Sequence, residues 1–319
     1  MRAIQVDTFG GPEVMQLVEK EVPAVGAGEV LVRVQAIGVN PVETYIRAGT
    51  YPRLPTLPFT PGGNVAGIIE ECGADCSQWR EGDQVYSAAT LSGAYAELAL
   101  CSSDQIFRLP KIVSFSQGAA IGVPAATAWR ALFIRGEGKP GENVFIHGGS
   151  GSVGQAAIQL AKASGLKVFA SAGTESGCRL MEKLGATPVN HNENGYEKSL
   201  MQHTDGRGFD LIVEMLANKN LEKDLELLAA QGRVVIVGSR GRIEIDPRLT
   251  MAKESDIRGL AVFSATRQET VRTHAALYAA IENNNYIPTV SVEMALADAV
   301  KAHHLVMQDG NCGKIVLIP

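Results

Sequence analysis

The chain has 319 residues, 45% of them apolar and 20% charged, with a formal net charge of −5. That length carries two compact domains with good cores, and the acidic balance excludes a general electrostatic pull on nucleic acid or anionic lipid. No apolar run reaches transmembrane length, and Met1-Arg-Ala-Ile-Gln-Val6 already alternates like a strand rather than a signal or transit peptide, so a cytoplasmic protein is expected.

The segment up to Pro110 is rich in short strands. Glu29-Val-Leu-Val-Arg-Val-Gln-Ala-Ile37 alternates apolar and polar residues as a half-buried strand does. Further strands are predicted over 64–71, 83–87, 94–101 and 105–110, punctuated by Pro, Gly and Asp turns. Short strands with many turns predict a small antiparallel or barrel-like β domain. Near Ser116 the texture changes, and 116–122 and 124–132 are helical in composition and spacing.

Strand and helix then alternate. Strands are predicted at 143–147, 167–172, 187–190, 209–215, 232–238 and 256–263, with helices at 155–162, 176–184 and 221–230. Such alternation predicts a parallel sheet wrapped by helices. Two more helical patterns (268–283 and 294–306) and a terminal strand (313–319) exceed what a six-stranded nucleotide domain needs. The tail is therefore expected to return to the first domain. Residues 1–123 and 265–319 would form one domain and 124–264 the other.

The most informative stretch is Asn143-Val-Phe-Ile-His-Gly-Gly-Ser-Gly-Ser-Val-Gly154, which reads as a buried strand and a glycine turn leading into an amphipathic helix. Gly149, Gly151 and Gly154 make G-x-G-x-x-G in the context that gives the motif meaning. The first glycine permits the turn, the second lets main chain approach a diphosphate, and the third lets helix pack on strand. Free N–H groups and the helix dipole then favour an anion.

Five cysteines (72, 76, 101, 178, 312) form no C-x-x-C pair and point to reduced thiols. Cys72 and Cys76 have a loose zinc-like spacing without a second Cys/His pair, and the six histidines are scattered, so no metal site is expected.

The order of parts resembles the medium-chain dehydrogenase/reductase superfamily, in which a GroES-like β domain precedes a Rossmann domain and a C-terminal return. Phe9-Gly-Gly-Pro-Glu-Val14, Gly38-Val-Asn-Pro-Val-Glu-Thr-Tyr-Ile-Arg47, Gly118-Ala-Ala-Ile-Gly-Val-Pro124, Glu214-Met-Leu-Ala-Asn218, Val237-Gly-Ser-Arg-Gly241 and Met251-Ala-Lys-Glu-Ser255 are similar to the zeta-crystallin-like quinone oxidoreductases of that superfamily. The resemblance implies a zinc-free reductase that passes reducing equivalents from NADPH to a quinone in the cleft between domains, by one- or two-electron transfer. Zinc-dependent relatives place a cysteine where this chain has Asn40 and a His-Glu pair where it has Gly63-Asn64; no cysteine lies between Cys101 and Cys178 for a third ligand. A double-bond reductase acting on 2-alkenals shares the architecture. The likeness also implies a homotetramer or dimer, and secondary roles in binding AU-rich RNA or as a lens structural protein. No basic tract interleaved with aromatics is seen here.

By the same resemblance, Ser150, Gly151, Ser152 and Val153 sit on the pyrophosphate, Gly173 lines the adenosine ribose, and His191 and Asn220 flank the adenine side. Val237, Gly238, Ser239 and Arg240 lie where the nicotinamide half crosses the sheet. Leu260, Ala261 and Val262 hold its carboxamide, and Thr127 approaches the nicotinamide. NADPH is favoured over NADH because Ala172-Gly173 ends the second Rossmann strand where an acidic side chain would otherwise hold the ribose 2′-hydroxyl, with Arg179 a candidate phosphate partner and Glu175 opposing it. At the reactive end, Asn40 offers an amide to a quinone oxygen and Tyr45 a phenol to the ribose or a developing phenolate. The plain readings beside these are that Asn40 caps a turn before Pro41 and Tyr45 packs by its ring.

Overall fold

The computed structural model describes residues 1–319, and these divide into two compact units, Met1–Val123 with Ile287–Pro319, and Pro124–Tyr286. In the first unit β1 (Arg2–Val6) and β2 (Met15–Glu19) form an antiparallel pair. The larger sheet draws on β3 (Glu29–Gly38), β4 (Asn64–Cys72), β5 (Gln84–Ser87), β6 (Leu98–Ser102) and β7 (Ile106–Arg108). Alternation in β3 turns Val30, Val32 and Val34 into a core shared with Val65, Ile69, Val85 and Tyr95. Two short helices follow the sheet's turns. In α1 (Pro41–Arg47), Pro41 starts the helix and the Glu43 carboxylate accepts the Asn40 N–H at 2.9 Å. In α2 (Phe115–Ala119), Ser114 and Gln117 cap one another reciprocally.

The second unit opens within α3 (Gly122–Trp129), which continues as a π-helical turn over Arg130–Arg135. It then runs β8 (Asn143–Ile146), α4 (Ser152–Ala163), β9 (Lys167–Ala172), α5 (Glu175–Lys183), β10 (Thr187–Asn190), α6 (Tyr196–His203), β11 (Phe209–Glu214), α7 (Ala217–Leu227), β12 (Leu228–Ile236), α8 (Arg248–Lys253), β13 (Asp256–Gly259) and α9 (Arg267–Glu282). All six strands are parallel, in the spatial order β10-β9-β8-β11-β12-β13. This is the doubly wound order, with its reversal between β8 and β11. The chain finally re-enters the first unit as β14 (Val290–Ala295), α10 (Ala299–Leu305) and β15 (Lys314–Ile318). There β15 pairs antiparallel with β3 and parallel with β14. No helix is long and apolar enough to cross a membrane.

The return to the first unit falls at Ile287 rather than at 265. Helix α9 stays with the second unit because Glu269 in its first turn lies 3.5 Å from Arg130, and Leu277 and Ile281 are fully buried. Three local expectations also shift. The predicted helix 221–230 begins at Ala217 and stops at Leu227, where β12 takes over. The predicted helix 294–306 is β14 running into α10. Helices α6 and α8 were not anticipated from the apolar spacing.

Candidate functional site

The glycine turn joins β8 to α4, and its four glycines have different surroundings. Gly148 takes φ +60°, a conformation that favours glycine. A Cβ on Gly149 would lie 2.3 Å from Met181 Sδ, and one on Gly154 would lie 2.3 Å from the Gly148 carbonyl oxygen. Gly151 differs: its Cβ would meet nothing closer than the Gly148 oxygen at 3.5 Å. The turn is thus tight on its sheet and helix sides and open beside Gly151. Gly151 caps α4 with extended backbone, leaving the first-turn amides of Ser152 and Val153 without intrahelical acceptors. The Ser150 carbonyl is fixed by Gln155 Nε2 at 2.6 Å. An open face bearing donated N–H groups at the positive end of a twelve-residue helix fits a diphosphate.

The other expected nucleotide residues gather at the carboxyl ends of the same strands. Gly173 follows β9, and the exposed His191 follows β10; a Cβ on Gly173 would come within 2.9 Å of His191 Nε2. Asn192 also donates to the Gly173 carbonyl at 2.9 Å. Arg179 is ion-paired with Glu175 one turn earlier on the surface of α5, so both charges of that pair are occupied. Val237 and Gly238 follow β12, and both N–H groups donate to the Glu214 carbonyl, at 2.8 and 3.3 Å. Ser239 and Arg240 are exposed beyond them. Leu260 donates to the Ile236 carbonyl at 3.0 Å, extending β13 toward Ala261 and Val262.

Sequence reasoning missed the group that fixes this last segment. Arg130, only 6% exposed, donates to the carbonyls of Ala261 (2.8 Å) and Val262 (3.4 Å). Its signal was a lone cation in the apolar run Ala125-Ala-Thr-Ala-Trp-Arg-Ala-Leu132. Thr127, one turn earlier, is buried. Asn220 is half-buried and its amide donates to Glu214 Oε1 at 3.2 Å, tying it to the sheet.

In the first unit, Asn40 caps the short helix α1 and Tyr45 lies on it, with opposite fates. Asn40 is 3% exposed and its amide is fully engaged. Nδ2 donates to the Gly38 carbonyl (3.2 Å) and to Glu43 Oε1 (2.9 Å), while Oδ1 accepts from Lys314 Nζ. The expected free amide is therefore absent; Asn40 organises a buried network instead. From Glu43 Oε2 the network runs to the Tyr95 hydroxyl at 2.7 Å, then to His303 Nε2 at 3.0 Å and, across the ring, from Nδ1 to Arg47 Nη1 at 3.4 Å. Burial raises the Glu43 carboxyl, opposed by the charge of Lys314, and pushes the Lys314 ammonium down to about 7. Burial, then Arg47 and His304, hold His303 down at about 3. Tyr45 is half-buried and its hydroxyl makes no hydrogen bond within the chain.

Asn64, where zinc-dependent relatives carry a ligand, is fully buried; it donates to the Ala119 carbonyl and accepts the Val123 N–H, each at 3.4 Å. Neither asparagine offers a thiolate or imidazole, and both amides are occupied by protein atoms. Cys72 and Cys76 are free thiols, and Cys76 Sγ donates to the Glu29 carbonyl at 3.2 Å.

Comparison with known proteins agrees with both halves of this architecture. The alcohol dehydrogenase GroES-like domain family matches residues 26–111, and the zinc-binding dehydrogenase family matches residues 152–280. A quinone oxidoreductase from Homo sapiens is 48% identical over all of this chain and 98% of its own length. Among solved structures, Escherichia coli quinone oxidoreductase complexed with NADPH superposes with a TM-score of 0.90 at 30% identity, each chain covered completely. Pseudomonas syringae quinone oxidoreductase gives 0.92 at 28% identity, covering all of this chain and 99% of its own.

Proposed function

The chain belongs to the quinone oxidoreductases of the medium-chain dehydrogenase/reductase superfamily, and from that premise we propose that it is a zinc-independent, NADPH-dependent quinone reductase. The observation that carries the nucleotide half is the glycine turn, packed tight at Gly149 and Gly154 and open at Gly151. NADPH supplies the reducing equivalents when bound. The free amides of Ser152 and Val153, with Ser150 and the open face of Gly151 beside them, hold its diphosphate, and Gly173, His191 and Asn220 receive the adenosine half. Thr127, Val237–Arg240 and Leu260–Val262 receive the nicotinamide half, the last segment braced by Arg130. The strand-end sequence Ala172-Gly173-Thr174 carries no acid to repel a 2′-phosphate.

Zinc independence is supported by donor chemistry: the positions that carry ligands in zinc-dependent relatives hold carboxamides and a glycine, and the Lys314 amino group already occupies the Asn40 oxygen. A quinone is electrophilic without a Lewis acid, so it needs orientation and a hydrogen bond to the oxygen that gains charge. The unpaired hydroxyl of Tyr45 supplies that bond. Asn40 positions α1 and does not touch the substrate. The homo-oligomer forms through the free edge of the six-stranded sheet at β13, where Ile257 is exposed.

The purified protein mixed with NADPH and phenanthrenequinone should lose the absorbance of the reduced nicotinamide. No NADPH oxidation across a broad quinone panel would sink this reading. Faster turnover of a 2-alkenal than of any quinone would reassign the substrate.

A further inference from the structure

Three charged or titratable side chains lie buried directly beneath the glycine turn, and nothing in the chemistry above uses them. His147 directly follows β8 and precedes Gly148; Glu214 is the last residue of β11; Asp224 lies on α7. They are 5%, 0% and 0% exposed. His147 Nε2 is 2.7 Å from Asp224 Oδ1 and 3.1 Å from Glu214 Oε2. The imidazole therefore bridges the two strands at which the sheet order reverses, the place where doubly wound folds bind ligands.

Glu214 is the hub. Its Oε1 accepts from the Leu216 N–H and from Asn220 Nδ2, and its carbonyl accepts from Val237 and Gly238. The loops after β8, β11 and β12 thus converge on one residue. With Nε2–H directed at Asp224, both Glu214 Oε2 and Asp224 Oδ2 lack a donor. A proton on either carboxyl satisfies the pair. Burial raises both carboxyls to about 7 and lowers the imidazole, while the charge of each group on the others is a lesser influence.

The charged and titratable surroundings offer no substitute for that proton. Lys223 on α7 is engaged by Glu197 at 2.6 Å and stands over the Tyr196 ring of α6 at 5.6 Å. Tyr196 keeps its own proton, its hydroxyl pushed up to about 12 by burial and by Glu197, Asp224 and Glu214.

We propose that His147, Glu214 and Asp224 are positioning residues for the dinucleotide: one proton shared by the two carboxyls, bridged by the imidazole, locks the three loops together and keeps a second negative charge from facing the diphosphate. The inference rests on the NADPH reading above. Loss of the shared proton weakens cofactor binding in two ways, by setting two ionised carboxylates against each other where β11 meets α7 and by repelling the ligand.

The test measures NADPH dissociation constants and melting temperatures from about pH 6 to pH 9 for the wild type, Asp224→Asn and Glu214→Gln. Either amide mimics the protonated carboxyl, so one folded variant suffices. Wild-type affinity should fall about fivefold or more across the range, and the variant should lose that slope. In the cofactor-free protein the wild-type melting temperature should fall relative to the variant's as pH rises through about 7, the contribution of Lys314 being common to both. A variant curve parallel to the wild type, displaced by a constant factor, means a merely structural role and overturns the proposal. So does a wild-type melting temperature raised by zinc and restored by a chelator, which would put an ion where we place a proton. Wild-type protein that binds no NADPH at any pH would instead overturn the cofactor reading, while the melting curves still report the proton.

Discussion

Gly151 and Gly154 stand three residues apart in one motif, yet their hydrogens face opposite surroundings. A methyl group on Gly154 would meet backbone atoms at 2.3 and 2.6 Å, whereas one on Gly151 would meet none closer than 3.5 Å. Gly154→Ala should therefore cost about 1–3 kcal/mol of stability, read from a denaturant midpoint. Gly151→Val should keep the wild-type midpoint, since φ is −75°, but weaken NADPH binding about tenfold or more by filling the ligand's space. If the two variants behave alike, the division of labour within the turn is wrong. These roles were legible in the sequence because the motif encodes them in spacing. His147, Glu214 and Asp224 were not, since the ion pairs join residues 67 to 77 positions apart and each looks like an ordinary strand or helix residue in its own window. Asn40 misled for the same reason: an amide at a vacated ligand position looks free until Lys314, 274 residues on, is found against it.

At the level of elements, α1, β15 and α10 are held together by the buried sequence of Lys314, Asn40, Glu43, Tyr95 and His303. Removing one charged member strands its partner in the interior. Lys314→Met should cost about 3–5 kcal/mol, and adding Glu43→Gln should recover most of that loss in urea denaturation. Additive losses would show that the two side chains do not share one electrostatic problem. Element types were mostly readable from sequence, because β3, β8, β9 and β10 combine apolar runs or alternation with clear turn residues. The failures share a cause. Met294–Val306 has helical apolar spacing, yet Val290–Ala295 becomes a strand because β15 offers it a free edge with matching register. Helix α6 has few buried positions, Tyr196 and Leu200 among them, and its exposed polar majority gave no periodic signal.

For the whole molecule, two predictions follow from charge and edges. His303 in the first unit and His274 in the second are both held near 3 by burial, so they stay neutral when folded. Each unfolded imidazole takes up a proton as pH falls below its usual range, and the folded one does not. Stability should then fall as pH drops from about 6.5 toward 3, by on the order of 2 kcal/mol per histidine at pH 5. A His303→Gln variant with an unchanged acid slope would refute its share. The free edge at β13 predicts that Ile257→Lys lowers the mass seen by light scattering, without altering the far-ultraviolet circular dichroism. The chain also leaves its first unit at Val123 and comes back only at Ile287. During synthesis, then, the nucleotide unit is complete while β3 still lacks the partner that Val316 and Leu317 provide and Asn40 still lacks Lys314. The first unit matures only once β15 has been made, so a chain cut before Lys314 would fold its cofactor half and be unable to finish the other.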